Sequence, residues 1–146
     1  MYYIIAAHGA YAEGCKSSCE MITGDTSAFV PVTFTEDMTK EDVEKKYEKI
    51  LAEKGVDECK AIIADLPGGT PYNAAMRIVA EHKNIQLVAG LSQQLLVLLN
   101  AGEELADAIA QTGEIYGNTV VVKEKKTVQA PKDPVEKKWY CEFPSG

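Results

Sequence analysis

Ala61-Ile62-Ile63-Ala64-Asp65-Leu66-Pro67-Gly68-Gly69-Thr70-Pro71 decides the reading of this chain. A short apolar run ends in a carboxylate. Two glycines and a hydroxyl follow at once, and a proline then favours the first turn of a helix. The N-terminus repeats the pattern: Tyr2-Tyr3-Ile4-Ile5-Ala6-Ala7 leads into His8-Gly9. Both segments read as buried strands whose carboxyl ends carry polar, chemically able side chains. In open α/β sheets ligands bind at such strand ends.

Outward from these segments, strand and helix patterns alternate. The first strand spans about residues 2–7, and a helix runs from Ala10 to Ile22, stopped by Gly24. Residues 28–34 read as a second strand, placed at an edge by Pro31, which cannot donate to a ladder. Thr39 and Asp42 form a capping-box pattern for a second helix with an apolar stripe of Val43, Tyr47, Ile50 and Leu51. Gly55 ends it. The third strand is 60–64. Thr70 reads as the N-cap of a third helix, with Pro71 at its first position and Ala74, Ala75, Ile78 and Val79 on its apolar side. A fourth strand at 85–89 is followed by helices at 91–99 and 103–111, the latter closed by Gly113, and by a last short strand at 119–122. The alternation predicts an open, mainly parallel α/β sheet with helices on both faces. In the order 2-1-3-4, strands 1 and 3 are neighbours, and His8 meets Asp65 at the point where the chain reverses its winding.

The bulk properties narrow the function. The chain has 146 residues, enough for one domain: an α/β body over 1–126 and a tail over 127–146, where Pro131, Pro134 and Pro144 oppose regular structure. The net charge is −7, from 15 Lys and Arg against 22 Asp and Glu, and no basic stripe suggests nucleic acid as a partner. No run approaches a membrane span, and no secretory signal is visible. A cytoplasmic protein is expected. Cys15, Cys19, Cys59 and Cys141 lack metal-ligand spacing and read as reduced, structural thiols; no metal is expected.

The chemistry follows from the pair. A carboxylate that accepts one ring N–H fixes the tautomer of His8 and leaves the other nitrogen's lone pair outward. Gly68 and Gly69 can turn backbone N–H groups into an anion nest, Thr70 adds a hydroxyl, and the helix start adds its positive end. Those parts suit a phosphoryl group handled without metal or diffusible cofactor. Taken singly, each has a plainer reading: an ordinary histidine, a turn-capping aspartate, a glycine turn, an N-cap threonine. Their convergence on adjacent strand ends is the argument. Gly9, Tyr11, Pro67, Tyr72, Asn73 and Ser92 are candidates for the rim, as is Glu13. Arg77 reads as a surface salt bridge and His82 as a helix-end residue.

Ala7-His8-Gly9, Ala12-Glu13-Gly14 and the block Asp65-Leu66-Pro67-Gly68-Gly69-Thr70-Pro71-Tyr72-Asn73-Ala74-Ala75 resemble the mannose-type enzyme IIA of the bacterial sugar phosphotransferase system. The resemblance covers about residues 1–122. It implies that His8 accepts phosphate on Nε2 from the carrier protein HPr, with Asp65 on Nδ1. The phosphate then passes to a IIB component, for sugar entering through a IIC/IID membrane permease. It also implies a homodimer that exchanges the last strand. The chain departs from the family where Gly90-Leu91-Ser92-Gln93-Gln94-Leu95 replaces a common Gly-x-Asn-x-Pro-Met, in a loop expected to border the site. Three other assignments stay open: a regulatory phospho-acceptor module, the phosphocarrier subunit for dihydroxyacetone kinase, in which Ser tends to stand where Gly9 is, and a flavodoxin-like domain that binds a small anion.

Overall fold

The computed structural model describes residues 1–118. The expected last strand near 119–122, the boundary at 126 and the tail 127–146 lie outside the described residues. Met1–Glu114 form one compact unit. Its order is β1 (Tyr2–His8), α1 (Tyr11–Thr23), β2 (Phe29–Phe34), α2 (Lys40–Lys54), β3 (Cys59–Ala64), α3 (Thr70–Glu81), β4 (Gln86–Ala89), α4 (Gln93–Asn100) and the start of α5 (Leu105–Asn118). The strands form one parallel sheet in the order β2-β1-β3-β4, as expected.

The central strands explain why their sequences do not alternate. Ile4, Ile5, Ala6 and Ala7 of β1 and Ala61 to Ala64 of β3 are all fully buried. Helices cover both faces, so both sets of side chains must be apolar. Ile5, Ala7, Ala61 and Ile63 pack with Cys15, Cys19, Leu95, Leu96 and Leu99 from α1 and α4. Ile4, Ala6 and Ile62 pack on the other side with Val43, Tyr47, Leu51, Ala74, Ala75 and Ile78 from α2 and α3. The chain steps from β1 outward to β2, then returns past β1 to β3 and on to β4. Right-handed crossovers in opposite directions place α1 on one face and α2 and α3 on the other. The gap between β1 and β3 is therefore the switch point. Pro31 sits in the edge strand β2, paired on one side only.

Three boundaries differ from expectation. The N-cap of α3 is Gly69, not Thr70; Thr70 is the first helical residue and Pro71 the second. Proline's fixed φ suits either early position, so the motif alone did not choose between them. Helix α4 starts at Gln93 behind the cap Ser92, whose Oγ accepts the N–H of Leu95 at 3.1 Å. Helix α5 runs through Gly113. A glycine ends a helix by turning to positive φ, and Gly113 is not among the glycines that do so. Gly24, in contrast, terminates α1 in the left-handed conformation, as expected. Among the described residues no helix is long and apolar enough to cross a membrane. Cys15, Cys19 and Cys59 are buried free thiols.

Candidate functional site

The parallel register pairs Ala6 of β1 with Ala64 of β3. Asp65 comes next and keeps the ladder going: its N–H donates to Ala6 O at 3.1 Å. Its carboxylate is thereby aimed at the end of β1. Asp65 Oδ2 accepts the backbone N–H of His8 at 3.0 Å and lies 2.7 Å from ring Nδ1, and Oδ1 accepts the N–H of Leu66 at 2.9 Å. A carboxylate can only accept here, so the ring proton sits on Nδ1 and the lone pair on Nε2. Nε2 has no hydrogen-bond partner among the described residues.

The two partners differ in exposure. The Asp65 side chain is 11% exposed and that of His8 46%. Burial pushes the Asp65 carboxyl up. The hydrogen bonds from the His8 backbone and ring and from the Leu66 N–H outweigh it and hold the group below its ordinary range. The acid is thus a fixed anion in a largely buried seat, beside a half-exposed imidazole ring. Phe34, the last residue of β2, stands edge-on to the ring with centroids 5.3 Å apart at 86°.

Gly69 closes the site from the other side. A Cβ at this position would lie 3.1 Å from His8 Cε1, the carbon between the two ring nitrogens. Glycine lets the ring rest against the start of α3, where any Cβ would push it back by a few tenths of an ångström. Gly68 turns the chain there with φ +80. The Gly69 N–H is used internally, on Leu66 O at 3.2 Å, and the Asn73 N–H closes the first helical turn on Gly69 O at 2.9 Å. No side chain caps this helix. Pro71 has no N–H, which leaves those of Thr70 and Tyr72 without an intrahelical acceptor at the positive end of α3.

The remaining candidates divide. Gly9, at φ +56, donates its N–H to Phe34 O at 2.8 Å and so closes the end of β1. Tyr11 Oη donates to Leu91 O at 2.8 Å, tying α1 to the loop after β4. Ser92 in that loop is committed to capping α4. Pro67 is exposed in the loop after Asp65, and Tyr72 is half-buried on α3. Asn73 Nδ2 donates back to Gly68 O at 2.9 Å. Glu13 accepts from Thr33 Oγ1 at 3.3 Å. Arg77 joins Glu44, Glu48 and Glu81 in a surface ion cluster, as expected, and half-buried His82 ends α3.

Sequence reasoning missed two side chains. Phe34 was legible as the last residue of a strand placed next to β1, so the expected strand order already put it beside His8. Tyr47 was read only as core. Its buried hydroxyl donates to Pro71 O at 2.8 Å, which anchors the first turn of α3 to α2. Apolar periodicity carries no signal for such a bond. Among the described residues no three His, Cys, Asp or Glu side chains gather as a metal site.

A doubly wound parallel sheet with a half-exposed imidazole hydrogen-bonded to a largely buried acid at its switch point defines an α/β protein with one histidine–aspartate pair at its ligand-binding edge. The family described as PTS system fructose IIA component matches residues 2–114, so the chain belongs to this mannose-type EIIA family of the sugar phosphotransferase system. The sorbose-specific EIIA component of Lacticaseibacillus casei is 32% identical over 141 residues, covering 91% of this chain and 99% of its own length. The fructose-specific EIIA component of Bacillus subtilis is 31% identical over 104 residues, 70% of this chain and 71% of its own. Among solved structures, the mannose/sorbose-specific IIA subunit of Enterococcus faecalis superimposes with a TM-score of 0.69 at 25% identity, over 88% of this chain and 98% of that one.

Proposed function

We propose that this chain is a phosphoryl carrier that takes phosphate from phospho-HPr on His8 Nε2 and gives it to a IIB component. The observation that carries the reading is the 2.7 Å contact of Asp65 with Nδ1, which leaves Nε2 as the nucleophile. In the uptake step the P–N bond to the donor histidine breaks as the new P–N bond to Nε2 forms. The electron pair of the broken bond stays on the donor ring. The nearly buried carboxylate of Asp65 balances the positive charge that develops on the His8 ring. The Thr70 N–H and hydroxyl, with the Tyr72 N–H, receive the transferred oxygens at the positive end of α3, and Gly68 and Gly69 shape the approach. Nothing in this step needs a metal or a diffusible cofactor.

The partners follow from the family. HPr donates, a IIB component accepts, and a IIC/IID permease moves the sugar; the chain acts in the cytoplasm beside that permease and works as a homodimer with an exchanged C-terminal strand. Its acidic charge of −7 suits a basic protein face and opposes nucleic acid.

The test is direct. Incubation with phosphoenolpyruvate, enzyme I and HPr is expected to add one acid-labile, base-stable phosphate per chain. His8→Ala is expected to abolish the label, and Asp65→Asn to slow uptake by roughly 100-fold or more, through loss of the fixed charge and the tautomer. Full labelling of His8→Ala would refute the assignment. Discharge to IIB separates a transport relay from a regulatory acceptor, which would hold its phosphate.

A further inference from the structure

The start of α3 has to be rigid to receive an anion, yet its own residues are poor at holding a shape. Two successive glycines reach many backbone states, and Gly68 stands at positive φ. Gly69 brings no capping side chain. What grips this loop is Asn73. Its Nδ2 donates to Gly68 O at 2.9 Å and its backbone N–H to Gly69 O at 2.9 Å. One residue thus holds two successive carbonyls. The peptide between Gly68 and Gly69 is then secured at both ends, since the Gly69 N–H is on Leu66 O.

The side-chain bond is not forced by packing. Asn73 is exposed on α3, where its carboxamide could be solvated, and instead it folds back along the chain. A carbonyl can only accept, so the nitrogen end of the carboxamide must face the loop. The loop it holds lies directly against the ring: the position where a Gly69 Cβ would stand is 3.1 Å from His8 Cε1. Any drift of the 68–69 peptide therefore moves the ring, the Thr70 N–H, or both.

We propose that Asn73 is a positioning residue for phosphoryl acceptance. It does not touch the transferred group. By fixing the Gly68 carbonyl it sets the Thr70 N–H against Nε2 of His8. This rests on the reading of His8 as phosphoryl acceptor. The magnitude is set by geometry: displacement of a reacting group by about 1 Å can cost up to ~100-fold in rate, and a partly loosened loop should cost roughly tenfold.

The experiment uses the full chain as wild type, Asn73→Ala, Asn73→Leu and Asn73→Gln. Phosphoryl uptake is followed against phospho-HPr concentration, and exchange of the Gly69 amide is followed by NMR. We expect kcat to fall roughly tenfold in the Ala and Leu variants, with KM for phospho-HPr within about twofold and an unchanged thermal midpoint. Leu keeps the branched, four-atom skeleton of the Asn side chain but cannot donate. Gln keeps the donor and should recover much of the rate. The Gly69 amide should exchange faster in the Ala and Leu variants alone. Wild-type kcat in Asn73→Leu, a defect confined to KM, or a Gln variant as slow as Leu would overturn the proposal. If the wild-type chain itself accepts no phosphate, it is the His8 reading that fails. The exchange measurement then still decides the lock, and unchanged Gly69 exchange sinks it.

Discussion

Helix α2 begins by satisfying itself. Thr39 Oγ1 accepts the N–H of Asp42 at 3.2 Å, and Asp42 Oδ2 accepts the N–H of Thr39 at 2.8 Å. This closed capping box uses the first-turn donors locally. Helix α3, packed beside α2 on the same face of the sheet, begins with Gly69, no side-chain cap and Pro71. Its start lies against the ring of His8 at the end of β1. With glycine at the N-cap, α3 forgoes roughly a few tenths of a kilocalorie per mole of capping stabilisation relative to α2. The difference teaches where a helix N-terminus is kept for something outside the chain. An uncapped helix start is unremarkable on a surface, but this one is buttressed from behind by Tyr47 and from the front by Asn73. The chain holds the turn firmly and leaves its positive end open.

Installing a cap on α3 should break this contrast with the largest effect. Gly69→Ser supplies the missing N-cap oxygen, and its φ of −73° is one that serine readily adopts. Its Cβ would crowd the His8 ring. The expected outcome is a folded protein with phosphoryl uptake lowered roughly tenfold or more, read as kcat with phospho-HPr. Removing the cap on α2 should do the reverse. Thr39→Ala is expected to cost about 1 kcal/mol in urea denaturation and to leave uptake at the wild-type rate. Uptake that falls with Thr39→Ala would mean the two helix starts are coupled through their packing.

The smallest expected effect is on acid stability, and it sharpens the comparison between the two acids near these turns. Asp65 is held below the ordinary carboxylate range. A group with a lowered folded value stabilises the protein above its unfolded value of ~3.9, and that stabilisation is lost as pH falls through the folded value. Urea midpoints should therefore drop on acidification below about pH 4, and Asp65→Asn should flatten that drop. Asp42 is also held low, first by the Thr39 backbone N–H, but it sits half-exposed at the surface. Its substitution should change the acid limb less.

How far the site was legible follows from the kind of interaction involved. His8 and Asp65 were found because each follows an apolar run, and the parallel order then brings the two strand ends together. Gly69 was read as an anion nest, but its visible contribution is the absence of a Cβ against the ring, with its N–H spent on Leu66. That steric fit depends on a ring 61 positions away in the chain. Ser92 was read as a rim candidate from its place after β4, and it spends its hydroxyl on the α4 cap. A motif names the residue types; the direction of a side chain depends on which neighbouring backbone groups remain unpaired.

Sequence by itself determined the alternation of elements, the burial of both central strands, the capping box of α2 and the choice of His8 and Asp65 as the candidate pair. All of these rest on short-range chemistry: period, turn residues, and the side chains that end apolar runs. Tertiary structure alone decided that Phe34 and Gly69 confine the ring and that Tyr47 and Asn73 brace α3, and it put Asp65 within 2.7 Å of Nδ1, the nitrogen that the resemblance had implied. Those outcomes come from atoms brought within a few ångströms by strand register and helix packing, and local composition does not encode such distances.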